Sequence, residues 1–194
     1  VGDVSASLER PLRADAERSV RTILEAAERV LARDPGASLE QVAQAAGVAR
    51  TTVHRRFATR QALVDAMSAA AVEQLAAAIE AGRPETAPPL VALHEITANV
   101  LRVKVSWPFA LASSMRPDSP VAEAQRRISR RCVELLGKAQ AAGAIDAAVD
   151  LDWARRVYYA LIGETLAGDD ASDPDALAAR VVDTLLRGIG PRPA

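Results

Sequence analysis

The sequence is poor in the residues that build stapled, aromatic-rich or metal-bound proteins. Cys132 is the single cysteine in 194 residues, which excludes an intramolecular disulfide and a cysteine-cluster metal site. Aromatic side chains make up only 3% of the chain, and His54 and His94 are its two histidines. Neither histidine follows a glutamate at the spacing of a helical di-iron site. A phosphate-cradling glycine loop, a HisGluXaaXaaHis pair and a GlyXaaSerXaaGly elbow are all missing, so nothing points to an enzyme, a bound metal or a cofactor. Long apolar runs are missing too: no stretch approaches the roughly 18 uninterrupted apolar residues of a membrane span. Val1 to Ser7 is polar and small, unlike a signal sequence. A soluble, cytoplasmic protein with no membrane contact is expected.

What the chain does have is aliphatic mass. It is 49% hydrophobic, mostly Ala, Leu and Val, which suit closely packed helices better than sheets. The reading is an all-α fold of about nine helices. Val1 to Leu12 lacks a period and reads as a mobile arm. From Arg13 to Arg33, Val20, Ile23, Leu24, Ala27, Val30 and Leu31 recur at three- and four-residue steps, until Asp34-Pro35-Gly36 ends that helix. Ser38-Leu39-Glu40-Gln41 has the form of a capping box, and Gly47 is placed to turn the chain sharply. A third helix is expected from about Ala49 to Phe57, and a fourth begins at the Thr59 cap and fades at Gly82. The stretch from Gly82 to Pro89 reads as a hinge or loop. Later helices follow over about 90–105, 121–142, 151–167 and 174–188. The division expected is an arm at 1–12, a three-helix head at 13–58 and a larger helical body at 59–190.

Charge is unevenly spread. The formal net charge is −1, yet from Gln41 to Arg60 the chain carries Arg50, Arg55, Arg56 and Arg60 with no acid. That window coincides with a short helix, an AlaGlyVal turn and a second helix. Val42, Ala43 and Ala46 can pack against Val48, Val53 and Phe57, leaving Arg50, Thr51, His54 and Arg55 outward. This is the pattern of a helix-turn-helix, whose second helix enters a major groove of double-stranded DNA. An exposed arginine can pair bidentately with guanine, and a threonine can reach a phosphate or a thymine methyl. Arg50, Thr51 and Arg55 are the candidates for base edges; Thr52, His54 and Arg60 are the candidates for phosphates. Ser38, at the start of the first of the two helices, completes the DNA-binding set. A solvated basic face is the bland alternative for the arginines taken alone. The competing function is a helical protein-interaction module that does not bind DNA.

Four linked segments carry a family resemblance: ArgThrIleLeuGluAlaAla (Arg21 to Ala27), LeuGluGlnValAlaGlnAlaAlaGlyVal (Leu39 to Val48), ThrThrValHisArgArgPhe (Thr51 to Phe57) and ThrArgGlnAlaLeu (Thr59 to Leu63). Over about residues 18 to 67 the chain resembles the amino-terminal domain of the tetracycline-repressor (TetR) family. Ala49 stands where that family often has the Ser that caps the recognition helix, and His54 stands where Tyr is common. The resemblance implies a ligand-responsive transcriptional repressor: a homodimer built mainly by the last two long helices, with an effector cavity enclosed by the middle ones. A dimer of this kind presents two recognition helices to successive major grooves, and a small-molecule effector changes their spacing.

The identity of that effector is open. Candidates to line its cavity are His94, Asn99, Trp107, Phe109, Met115, Cys132 and Tyr158, since such pockets are mostly apolar with a few placed polar groups. Ordinary packing accounts for each of them equally well, as it does for Trp153 and Glu164. The connection from Gly82 to Pro89 is the expected route from effector domain to head.

Overall fold

Nine α-helices and no strand are found among the described residues. The computed structural model describes residues 4–114, 121–167 and 173–190, with side chains from Glu17 onward. The helices are α1 (Val4–Leu31), α2 (Leu39–Ala46), α3 (Arg50–Arg56), α4 (Arg60–Ala81), α5 (Pro89–Ser106), α6 (Pro108–Ser114), α7 (Ala122–Ala141), α8 (Leu151–Ala167) and α9 (Pro174–Ile189).

Local chemistry sets most of these boundaries. The hydroxyl of Ser38 accepts from the Gln41 amide at 3.3 Å, while the Gln41 side chain accepts from the Ser38 amide at 2.7 Å. Two amides that the helix itself cannot satisfy are thereby bonded. Gly47 ends α2 with φ 67, a left-handed conformation that costs a side-chain-bearing residue about 1 kcal/mol. Thr59 caps α4 by accepting from the Ala62 amide at 3.0 Å. Ala49 gives α3 no side-chain cap.

The amino terminus departs from expectation. Residues 4–12, read as part of an arm, lie inside α1. Ala6, Leu8, Glu9 and Arg10 are helix formers joined directly to a strong helix, which outweighs the one amide that Pro11 removes.

Two apolar cores lie along α4. The first gathers Ile23, Leu24, Ala27 and Leu31 of α1 with Val42, Val53, Phe57, Leu63, Met67 and Ala71. Trp107, Ala110 and Leu111, from the α5–α6 corner, belong to this same core. The second gathers Ile79 with residues of α5, α7, α8 and α9. Sequence placed a division at residue 58, but α4 runs unbroken from one core into the other, and α6 packs with the head. By length and composition α4 could cross a membrane; in the fold its Leu63, Met67 and Ala71 are buried against the other helices.

The stretch from 82 to 88 is a loop, as expected, and it is fastened at several points. A Cβ on Gly82 would stand 2.3 Å from Cγ1 of Ile96 and 3.1 Å from its backbone nitrogen, so α4 and α5 touch here through glycine alone. Arg83 pairs with Glu95 at 3.1 Å. Lys138 of α7 reaches Glu85 at 2.6 Å and donates to the Pro84 carbonyl at 2.9 Å.

Candidate nucleic-acid interface

The head presents α3 as a slim, exposed rod. Val53 and Phe57 anchor it on Val42 and Ala43 of α2. Arg50, Thr51, His54, Arg55 and Arg56 are exposed, and Thr52 is half-buried. Among the described residues Arg55 and Arg56 have no hydrogen-bond or ion-pair partner, so their guanidinium groups are available to an incoming polyanion.

Arg50 and His54 are engaged within the head. Glu40 of α2 sets its Oε1 2.7 Å from Nη2 of Arg50 and 3.5 Å from Nε2 of His54. Nε of Arg50 donates to that same histidine nitrogen at 3.4 Å. The Glu40 carboxyl is held below the usual carboxylate range, first by its own backbone amide and by the Ser38 hydroxyl, with His54 and Arg50 adding to the effect. Sequence reading missed Glu40. It lies one position outside the acid-free window, and its pairing spans the turn, where helical spacing gives no signal.

Arg60 is also tied down. Its guanidinium donates to the carbonyls of Pro35 and Ala37, stapling the loop before α2 to the start of α4. Ser38 has its hydroxyl in the capping box. These two residues shape the head from within, whereas Arg55 and Arg56 face solvent.

The expected effector residues take different partners among the described residues. Nδ1 of His94 lies 2.8 Å from the Leu90 carbonyl, and Asn99 donates to the Ala78 carbonyl at 3.2 Å. The hydroxyls of Tyr158 and Thr97 are 2.8 Å apart, and Thr97 already donates to Leu93, so Tyr158 donates here. Burial pushes the Tyr158 phenol well above its ordinary range and the Cys132 thiol up to about 12, which makes that thiol inert. Phe109 packs against the head core, and Met115 lies outside the described residues. A cavity of about 780 Å3 opens between α1, α4 and Trp107, with Glu17, Arg21, Glu25, Arg56 and Glu73 among its lining residues. Of the candidates only Trp107 reaches it.

At this seam a second overlooked acid appears. Glu28 of α1 is buried, and its carboxylate accepts from the amides of Phe109 at 2.7 Å and Ala110 at 3.0 Å. Ser68 of α4 donates to the Ala110 carbonyl at 3.3 Å, and the Trp107 indole donates to Gln74 at 3.1 Å. The sequence did carry a signal: Glu28 falls on the apolar stripe of Leu24 and Leu31, where a carboxylate needs partners.

Comparison with known proteins agrees with this geometry. The family model of bacterial regulatory proteins, tetR family, matches residues 23–67. The HTH-type transcriptional repressor LfrR of Mycolicibacterium smegmatis is 32% identical over 174 residues, covering 89% of each chain. The chain belongs to the TetR family. It is therefore a DNA-binding transcriptional regulator. The crystal structure of LfrR from Mycobacterium smegmatis in complex with proflavine matches with a TM-score of 0.67 and 30% identity, over 91% of this chain and 99% of that one. The TetR-family regulator PfmR from Thermus thermophilus shares the fold, with a TM-score of 0.73 at 21% identity over 88% of this chain and 99% of that one.

Proposed function

We propose that this TetR-family regulator is a homodimeric repressor whose α3 helices read a pseudo-palindromic operator and which a small molecule releases from DNA. The observation that carries the reading is the exposed basic face of α3, with Arg55 and Arg56 unengaged among the described residues. Arg50, Thr51 and Arg55 contact base edges; Thr52 and Arg56 flank them at phosphates. His54 and Arg60 contribute through the shape of the head as much as through the backbone of the DNA. Two heads one helical turn apart would occlude a promoter.

The effector reading rests on LfrR, whose crystal structure holds proflavine. A planar aromatic cation of that kind is the first ligand to try on this chain. Release follows if the ligand favours a head spacing that no longer fits the operator. The route to the head runs through α6, because Glu28, Ser68 and Gln74 all bond to the α5–α6 corner, while the 82–89 stretch is fastened to the body.

The test begins with duplexes selected from a random pool. Affinity for the selected site should fall steeply with salt, and proflavine should displace the protein from it. Salt-independent binding would overturn the operator reading. An unchanged complex at saturating proflavine would remove this ligand class.

A further inference from the structure

Glu40 is a carboxylate on the face that meets a polyanion, where it repels phosphates. Its contribution to stability is small, because an ion pair this exposed is worth little. Its geometry suggests another role. Nε and Nη2 form the side edge of the Arg50 guanidinium: Nε donates to His54 at 3.4 Å, and Nη2 is ion-paired with Glu40 at 2.7 Å. His54 itself is 3.5 Å from Glu40. As acceptor from Arg50, its Nε2 presents a lone pair, which places the ring proton on Nδ1. On the end edge of the guanidinium, Nη1 has no partner among the described residues.

That end edge offers two parallel donors, which match O6 and N7 of guanine in the major groove. An arginine on an exposed helix otherwise samples many rotamers, and ordering them on binding weakens the contact. We propose that Glu40 is a positioning residue for base recognition: with His54 it grips the side edge of Arg50 so that the end edge is held outward for a guanine. The proposal rests on the reading of Arg50 as a base contact. It assigns specificity to a residue of α2 that touches no base.

A panel of duplexes carrying every single-base change in one half-site of the selected operator tests this at fixed salt. Arg50→Ala should flatten the preference at one base pair of the half-site. Glu40→Gln keeps the side chain's shape and both bonds between Ser38 and Gln41, and weakens what the Ser38 hydroxyl donates to residue 40. It should weaken the guanine preference at that same pair about 2- to 5-fold, leave the other positions as they were, and not lower affinity for a random-sequence duplex. In an Arg50→Ala background, Glu40→Gln should have no further effect on the preference. If Arg50→Ala flattens nothing, the base-contact reading fails and takes this proposal with it. If Arg50→Ala flattens a position at which Glu40→Gln keeps full preference, the positioning role alone is overturned. A uniform loss across all positions and the random duplex would overturn it as well.

Discussion

Glu28 and Ala110 lie 82 positions apart in sequence, yet the Glu28 carboxylate and the Ala110 amide are 3.0 Å apart in the interior. The neighbouring Phe109 amide completes the pair at 2.7 Å. A buried acid on the first helix therefore satisfies two amides that α6, at its own first turn, cannot. Glu28→Ala should strand both donors and cost about 2 to 3 kcal/mol, read as a lower midpoint in denaturant unfolding. Glu28→Gln keeps one acceptor oxygen and should lose less. Equal midpoints for all three proteins would mean that these bonds carry no net stability.

The same carboxyl predicts a pH dependence. Burial raises the pKa of Glu28 above its ordinary value, against the two amide bonds that lower it. A folded-state pKa above the unfolded one, which is about 4.3, means that the folded protein holds this proton more tightly. The resulting stabilisation is full below the unfolded pKa and is lost as pH rises through the folded value. The stability of the natural protein minus that of Glu28→Gln should therefore fall with rising pH across this window and level off above it. Taking the difference removes the opposing trend of Glu85 and Glu123, whose carboxyls Lys138 and Arg126 respectively hold low. A difference that rises with pH would show that the amide bonds outweigh burial.

Gly82 and Gly47 should fail differently. At Gly82 an added Cβ meets Ile96, including its backbone nitrogen at 3.1 Å, so Gly82→Ala must push α4 and α5 apart at about 1 to 3 kcal/mol. At Gly47 the space is open, and the φ of 67 is the obstacle; Gly47→Ala should cost about 1 kcal/mol. Thermal unfolding of the two variants checks the order. A Gly82→Ala protein as stable as its parent would mean that the contact yields without strain.

On DNA, Arg55→Ala should weaken the selected operator by about 1 to 3 kcal/mol. Arg60→Ala should act mainly on stability, since that guanidinium bonds the carbonyls of Pro35 and Ala37. Binding titrations paired with melting curves separate the two. A loss of operator affinity in Arg60→Ala without any loss of stability would return Arg60 to the phosphate contacts.

Much of the head was legible because its determinants are local. Ser38 with Gln41, Gly47 and Thr59 each act within a few residues of themselves, and sequence read each in the role that the structure gives it. Most of the helical body was legible for the same reason, through apolar spacing over about 90–105, 121–142, 151–167 and 174–188; the short α6 was not among the helices expected. Partnerships across the fold were not legible. Glu40 with Arg50, Arg60 with Pro35, and Glu28 with Ala110 join residues that only tertiary packing brings together. His94, Asn99 and Tyr158 looked like pocket residues because they are polar within apolar helices. In the fold each has a hydrogen bond within the chain, His94 and Asn99 to helix carbonyls and Tyr158 to Thr97, and no spacing in the sequence announces those partners.

Because Trp107, Ala110 and Leu111 complete the core under α1 and α4, the reading head is not a detachable module. A fragment ending with α4 would bare the faces of Leu63, Met67 and Ala71 that α6 helps to cover, and would leave the Glu28 carboxylate without its amides. A chimera that grafts this head onto another regulator's body must therefore carry the α5–α6 corner with it. Operator preference in this chain can be transplanted only together with a piece of the helical body that follows α4.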